Sequence, residues 1–376
     1  MSNYVKNSFN GYIEGYYGKI LNWDSRKRII KKLNEVNFSF YLYAPKGDEI
    51  HRKRWRDDYP QEWLINFKDF CNYASKNNVS IIAGISPGLD ISFKKNDIKK
   101  ETRFLLNKAN LLKKYGAHEI AILFDDIPKN ISLFEDGFQT DGFHHAKLAN
   151  KLGQLLNSNL FIVPKIYAFE IEKDDPIYIP SFFESIKKNH LIFFCGKKVV
   201  SRKNNELIKP VKYKNQIIFW DNIFANDYCP KKLMVGPWKY RKNLNNIMIN
   251  PTGLIETDLF ILDIISCSKS NISIQKAWIN ACIKNNIPKY FFTIYQFFNP
   301  YKIINYNLKI NSKEYNKIII ALDQLLWDWN SPLSREWYSY LYGLKQDIML
   351  TQNKMIKKNI FKTQTIFLAS YLLQRK

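Results

Sequence analysis

Short, β-rich apolar runs alternate with longer amphipathic segments from the N-terminus to about residue 250. Because strands that alternate with helices pair in parallel, this order predicts an α/β fold. The strand candidates lie at residues 11–17, 38–44, 79–85, 119–124, 160–167, 191–195, 217–220 and 246–249. Eight parallel strands close a barrel, so the pattern predicts a (β/α)8 TIM barrel. An open doubly wound sheet is disfavoured, because no Gly-x-Gly-x-x-Gly motif follows the first strand.

Helical periodicity fills the intervals between the strands, for example at residues 25–36, 63–76, 98–115 and 143–156. Residues 256–266 then predict a last barrel helix. Beyond it only helical segments remain, at residues 274–284, 289–298, 313–329, 335–350 and 361–373. We therefore expect a barrel at 1–268 and a C-terminal all-helical region at 269–376. The aromatic residues of that region indicate packing between helices, against the barrel or against a second subunit.

The composition is that of a globular protein, with 46% hydrophobic and 15% aromatic residues. No apolar run approaches the roughly 20 residues that a membrane-spanning helix needs, so we expect no membrane partner. The N-terminus shows no secretory signal, and five scattered cysteines without Cys-x-x-Cys spacing indicate neither a disulfide framework nor a zinc site. These features predict a cytoplasmic location.

The chain carries a formal net charge of +23, which favours association with polyanions. However, its lysines are spread along the whole length and usually stand beside asparagine. No known RNA- or DNA-binding motif accompanies them, so we expect no specific nucleic-acid partner.

The most specific local signal is a buried strand that ends in two carboxylates, Asp125 and Asp126. At the carboxyl end of a barrel strand, polar residues lie at the active-site face. Two adjacent carboxylates resist ionising together, so one pKa should rise, giving a proton donor beside an anion. A helix cap or surface turn is an equally good interpretation of the dipeptide alone. A metal site would need further ligands, and no suitably spaced set is visible, so no metal or cofactor is expected.

The other predicted strands also end in polar or glycine-rich motifs. These are EGYYG at 14–18, YAPKGD at 43–48, SPGLD at 86–90, WDNIFANDY at 220–228 and NP at 250–251. Each motif alone is a weak signal. Together, at one rim, they predict a polar pocket with an aromatic wall, which suits a sugar.

These motifs resemble, in order, those of the β-N-acetylglucosaminidases of glycoside hydrolase family 84. The resemblance covers roughly residues 9–255 and rests on GYIEGYYG (11–18), YAPK (43–46), SPGL (86–89), FDDI (124–127) and WDNIFANDY (220–228). It implies an exo-acting, retaining hydrolase in which the 2-acetamido group of the substrate attacks C1 and forms an oxazoline.

By motif position, the resemblance assigns different roles to the two aspartates. Asp125 would hold the acetamido N–H, and Asp126 would protonate the leaving oxygen and later activate water. Gly15, Lys46, Asn222, Asp227 and Asn250 would bind sugar hydroxyls or support the acetamido group, and Trp220 would wall the acetamido pocket.

One departure from the family pattern is visible after the sixth strand. The pattern Phe-Cys-Pro-Thr-Glu-Tyr is expected there, and its tyrosine faces the acetamido group. Here Phe194 and Cys195 are followed by Gly196, Lys197 and Lys198. We therefore expect that hydroxyl to be absent, at a cost of about 1 kcal/mol in substrate affinity.

Three functions are consistent with these residues. The first is removal of O-GlcNAc from Ser or Thr of proteins. The second is hydrolysis of GlcNAc from free glycans or cell-wall fragments. The third is a non-catalytic barrel that binds a sugar or a polyanion. The C-terminal helices would complete a groove for the aglycone or form a homodimer.

Overall fold

A computed structural model describes residues 8–127, 140–210, 213–229, 231–241, 244–301 and 310–351. Eight parallel strands form a closed barrel in chain order, and β8 pairs with β1. The strands are β1 Asn10–Glu14, β2 Phe40–Tyr43, β3 Ser80–Ile85, β4 Glu119–Leu123, β5 Phe161–Val163, β6 Leu191–Phe194, β7 Gln216–Asp221 and β8 Ile247–Ile249. The predicted fold class, a (β/α)8 barrel with a helical C-terminal region, is confirmed.

Five helices follow the first five strands: α1 Trp23–Glu35, α2 Gln61–Lys76, α3 Ile98–Lys114, α4 Asp141–Leu156 and α5 Tyr178–Ser185. Two of them begin at side-chain caps. The Asn22 side chain accepts a hydrogen bond from Ser25 N, and that of Thr140 accepts one from Phe143 N, which satisfies otherwise unpaired amides. Of the described residues between β6 and β7, Asn204–Glu206 form a short 3₁₀ turn.

Inward-facing side chains of the strands fill the barrel interior, because successive residues of a strand point to opposite faces. The interior contains Ile13, Phe40, Leu42, Ile82, Ala121, Leu123, Phe161, Val163, Leu191, Phe193, Ile218, Trp220 and Met248. These residues are separated by two positions along each strand. The apolar filling makes the barrel a packed core, with any ligand confined to its rim.

The chain divides into two compact units, Met1–Asn222 with Leu244–Asn250, and Ile223–Asn243 with Pro251–Lys376. The first contains all eight strands and α1 to α5. The second contains α6 Ile255–Ser268, α7 Ile274–Lys284, α8 Phe291–Ile294, α9 Ser312–Asp323 and α10 Pro332–Thr351. The predicted domain boundary at residue 268 stays a prediction, and the predicted helix at 361–373 lies outside the described residues.

Contacts between α6 and α10 organise the second unit. Glu336 on α10 accepts hydrogen bonds from the backbone N–H groups of Glu256 and Thr257 in the first turn of α6, at 3.0 and 2.8 Å. A carboxylate there satisfies free amides and the positive end of the helix dipole. Beside it, buried Trp337 donates to Thr257 Oγ1 at 3.0 Å and packs against Phe291. Of the described helices, none is long and apolar enough to span a bilayer.

Candidate active site

The inward alternation of the strands continues beyond their carboxyl ends and delivers polar groups to the rim. On β4, Ala121 and Leu123 face the interior, and Asp125 occupies the next position of that series. The corresponding positions after the other strands hold Gly15, Lys46, Asn222 and Asn250. Apart from Asp126, the predicted residues of the first unit therefore follow from one geometric rule, the two-residue period of a strand.

Asp125 is a buried carboxylate with one oxygen paired and the other unpaired. Its Oδ2 accepts a hydrogen bond from the ammonium group of Lys46, whose side chain is also buried. Its Oδ1 is buried and accepts no hydrogen bond in the part of the chain that the structure describes. Burial raises the pKa of Asp125, the positive charge of Lys46 lowers it, and the net direction is upward.

Asp126 lies beside Asp125 but is more exposed, with 30% of its side chain accessible. Two tyrosine hydroxyls donate to it, Tyr17 to Oδ2 and Tyr167 to Oδ1, each at 2.9 Å. Lys46 Nζ lies 3.6 Å from Oδ2. Burial raises the pKa of Asp126, but the charge of Lys46 and the two tyrosine hydrogen bonds outweigh that effect and lower it.

A left-handed backbone conformation brings the second carboxylate to the same site as the first. In a continuing strand, Asp126 would point away from Asp125, because neighbouring side chains alternate. Instead its φ is 54°. Aspartate is one of the few residues other than glycine that adopts this region readily. The turn allows Lys46 to contact Asp125 while lying 3.6 Å from Asp126.

The two pKa directions differ from the roles that the sequence resemblance implies. An acid catalyst should hold its proton at rest, yet here the pKa of Asp126 is lowered and that of Asp125 is raised. The physical reason is the placement of donors: Asp126 accepts from two tyrosines, whereas Asp125 is more deeply buried with one free oxygen. Because the carboxylates are adjacent, they titrate as a pair.

Tyr167 is a site residue that the sequence reasoning missed. It follows β5, and burial together with the Asp126 charge raises its pKa, so the hydroxyl remains a donor. Pro164 and Tyr167 have the spacing of the Pro and Tyr in the expected Phe-Cys-Pro-Thr-Glu-Tyr pattern, but one strand earlier. A tyrosine hydroxyl therefore lies at the site after the fifth strand, whereas the family pattern is expected to place one after the sixth. The expected cost in substrate affinity stays a prediction.

The loop after β6 supports the site through its backbone. Asn222 Nδ2 donates to Val199 O at 3.0 Å and to Cys195 Sγ at 3.6 Å. Asn222 Oδ1 accepts from Trp220 Nε1 and from Asn250 Nδ2, each at 2.9 Å. Asn250 Oδ1 in turn accepts from Gly15 N at 3.3 Å. Every polar atom of the Asn222 amide is therefore used to hold this side of the rim together.

Asp227 lies in the second unit and is partly exposed, and its Oδ1 accepts from Tyr228 N at 3.0 Å. Its predicted role at the sugar edge stays a prediction. Within the described ranges, no group of three or more His, Cys, Asp or Glu side chains could hold a metal ion.

Gly15 leaves room for the Trp220 indole, which gives a steric prediction. A Cβ at this position would lie 2.6 and 2.7 Å from two Trp220 ring carbons. We expect Gly15→Ala to displace the ring and destabilise the fold by about 1–3 kcal/mol, measured by denaturant unfolding. Gly47→Ala is the comparison with a milder clash, because its Cβ would lie 3.1 Å from Gly18 O and 3.2 Å from an Ile20 carbon, so a smaller loss of stability is expected. Equal stability of the two variants would contradict the close packing of Trp220 on Gly15.

Known proteins are similar to this chain in sequence and in fold. The profile of the beta-N-acetylglucosaminidase family matches residues 10–273, which include every predicted site residue. Protein O-GlcNAcase of Rattus norvegicus is 31% identical over 264 residues, 66% of this chain and 28% of the rat protein. The Mus musculus protein has the same identity and coverage. The chain thus spans less than a third of the length of these two relatives.

Two solved structures share the fold at 22% identity. A mutant of the Thermobaculum terrenum O-GlcNAc hydrolase superposes with a TM-score of 0.77, covering 96% of this chain and 86% of that one. CpGH84B superposes with a TM-score of 0.73, covering 94% of this chain and 71% of that one. With the matching profile, motifs and barrel, the chain belongs to the β-N-acetylglucosaminidase family, glycoside hydrolase family 84.

Proposed function

We propose that this chain is an exo-acting, retaining β-N-acetylglucosaminidase that uses the acetamido group of its substrate as the nucleophile. The observation that carries the proposal is the pair of adjacent carboxylates with unequal surroundings. Asp125 has a buried oxygen without a donor, and Asp126 is accessible and bonded to two hydroxyls. Family membership supplies the reaction class, and the geometry suits two different tasks.

Asp125 is suited to orient the nucleophile. A buried acceptor without a donor costs about 1–3 kcal/mol, and an acetamido N–H bonded to Oδ1 would recover part of that cost. The same hydrogen bond favours the anion, so it lowers the raised pKa of Asp125. The anion then stabilises the positive charge that develops as the oxazolinium forms. Because Oδ1 is buried, its neighbours must shift as the substrate enters.

Asp126 is suited to exchange a proton with the glycosidic oxygen. In the structure, Tyr17 and Tyr167 stabilise its anion. A bound sugar excludes water and can accept a hydrogen bond from either tyrosine hydroxyl, which then no longer stabilises the Asp126 anion. The pKa of Asp126 therefore rises on binding. The acid then gives its proton to the leaving group, and the restored carboxylate accepts one from the attacking water.

Turnover of an aryl N-acetyl-β-glucosaminide tests the proposed function directly. The purified protein should release the phenol with retention at C1, while the α-anomer should be left intact. The thiazoline analogue of the oxazoline should inhibit it, because transition-state mimics bind more tightly than substrates. A folded protein that binds N-acetylglucosamine without hydrolysing the β-glycoside would instead support the non-catalytic sugar-binding barrel.

For the natural substrate, we propose GlcNAc linked to Ser or Thr of proteins. The names of the mammalian relatives, protein O-GlcNAcase, favour it over free glycans. Side-by-side kcat/KM values for a GlcNAc-modified peptide and for chitobiose separate the two, and a preference for chitobiose would support the glycan alternative. A homodimer through residues 269–376 stays a prediction, which sedimentation of the full chain would test.

Removing the Tyr167 hydroxyl should change the pH dependence of the reaction. Its hydrogen bond lowers the pKa of Asp126, so Tyr167→Phe should raise that pKa and shift the alkaline limb of the kcat/KM profile to higher pH. We expect kcat/KM at the optimum to fall about 5-fold, the equivalent of one hydrogen bond of about 1 kcal/mol. Tyr338→Phe is the control, because Tyr338 is exposed, with 42% of its surface accessible, and loss of its hydroxyl should leave the pH profile unchanged. An alkaline limb of Tyr167→Phe at the same pH as that of the parent would contradict the role of this hydrogen bond in lowering the pKa of Asp126.

A further inference from the structure

Arg52 links three segments of the barrel rim, although no strand-end motif includes it. It lies in the loop after β2 and is buried, with 9% of its surface accessible. Its Nη2 donates to the backbone oxygen of Asp126 at 2.8 Å, and its Nη1 donates to the Tyr17 hydroxyl at 3.2 Å. The guanidinium group thus joins the loops that follow β1, β2 and β4.

The contact with the Asp126 carbonyl holds the left-handed turn that places the second carboxylate. At a φ of 54°, the residue is in a sparsely populated conformation that surrounding contacts must maintain. A charged donor on its carbonyl is a strong contact of that kind. Arg52 Nε is buried and has no hydrogen-bond partner among the described residues. The two Nη groups therefore make the hydrogen bonds that fix the guanidinium group.

The contact with Tyr17 directs a proton toward Asp126. A tyrosine hydroxyl has one proton and can also accept. Because Arg52 donates to the Tyr17 oxygen, the hydroxyl proton is left to point at Asp126 Oδ2. The positive charge of Arg52 also lowers the pKa values of both Asp125 and Asp126. Burial and Lys46 have larger effects on both carboxylates, as do the charge of Asp126 on Asp125 and the two tyrosine hydrogen bonds on Asp126.

We propose that Arg52 is a positioning residue for acid–base catalysis, which fixes the backbone of Asp126 and, through Tyr17, the environment of its carboxylate. This inference rests on the proposed hydrolase activity. It assigns to a residue outside the family motifs a specific part of the reaction, the proton transfer to and from the leaving group.

Leaving-group dependence and pH dependence test this role. Arg52→Met retains length but removes charge and both donors. We expect kcat to fall about 10²-fold on the phenyl β-glycoside of GlcNAc, and less than about 10-fold on the dinitrophenyl glycoside, which departs without acid assistance. Both limbs of the kcat/KM profile should move to higher pH by on the order of 0.5–1 unit, because a nearby positive charge is lost.

Arg52→Lys separates charge from geometry. Lysine keeps the charge, so the limbs should stay near those of the parent, but it cannot reproduce the planar fork that contacts two acceptors. We expect a loss of about 3- to 10-fold on the phenyl glycoside alone. Lys53→Met is the control, because this neighbouring cation has a side chain that is 68% exposed. Thermal unfolding checks that every variant folds.

Equal losses on both substrates with unshifted limbs would overturn the proposal, since a merely structural role predicts that result. So would variants at Arg52 that match Lys53→Met. If Arg52→Met does not fold, Arg52→Lys tests the proposal. A parent-like kcat of Arg52→Lys on the phenyl glycoside would show that the contacts with both Asp126 O and Tyr17 are not needed, which would overturn the proposal. Failure of the parent to hydrolyse either glycoside would refute the proposed function itself, which distinguishes the two failures.

Discussion

Replacing Asp126 with asparagine is expected to lower kcat by about 10²–10⁴-fold on a glycoside with a poor leaving group. Asparagine has nearly the same shape, and its single amide oxygen can still accept from one of the two tyrosines, Tyr17 or Tyr167. Its NH2 group is not acidic enough to give a proton to the glycosidic oxygen. A dinitrophenyl leaving group needs no proton, so its release should be slowed far less. Steady-state kinetics on both glycosides measure the difference, which should also flatten the alkaline limb of the pH profile.

Asp69→Asn is a suitable control for this variant, because Asp69 lies on α2 and its side chain is 64% exposed. It should behave as the parent on both glycosides. Parent-like kcat of Asp126→Asn on the phenyl glycoside would remove Asp126 from the acid–base role. The proton would then have to come from Asp125, whose raised pKa in the structure makes it the competing donor.

Replacing Asp125 with asparagine is expected to slow both glycosides to the same extent, by about 10²–10³-fold in kcat. The reason is that Asp125 acts on the nucleophile, which every substrate of this mechanism must use. An amide still accepts an N–H, but it carries no charge to stabilise the oxazolinium. The contrast in leaving-group dependence between the two variants therefore assigns their roles without reference to their pKa values.

The Asp125 variant needs its own folding control. Its substitution leaves the buried ammonium group of Lys46 without a carboxylate on that side, and an unpaired buried charge destabilises a fold. Thermal unfolding and thiazoline binding should be measured beside the kinetics. A strong leaving-group dependence for Asp125→Asn, together with none for Asp126→Asn, would reverse the proposed assignment.

Much of the barrel could be predicted because its signals are local. Apolar runs of strand length alternate with segments of helical period, and parallel pairing follows from that order. The strand ends carry polar groups, and the two-residue period of a strand points Lys46, Asp125, Asn222 and Asn250 to one rim. Such regularities need no knowledge of long-range contacts.

The missed features all depend on contacts between residues distant in the chain. Tyr167 follows β5, where no site tyrosine is expected from the sequence, and its hydrogen bond to Asp126 joins two separate rim segments. Arg52 lies outside the strand-end motifs, and its contact with Asp126 spans 74 positions. The periodic pattern of apolar residues in a sequence does not predict hydrogen bonds between such distant side chains.

Local order along the chain is sufficient to predict a parallel barrel and two adjacent carboxylates at the end of β4. Their adjacency also requires their pKa values to differ, because like charges at that distance cannot both ionise easily. The direction of that difference depends on which side chains the folded chain packs around each carboxylate. Asp125 is buried with one donor, whereas Asp126, turned by its left-handed backbone, meets Tyr17, Tyr167 and the charge of Lys46. The placement of donors by distant segments of the chain sets that balance.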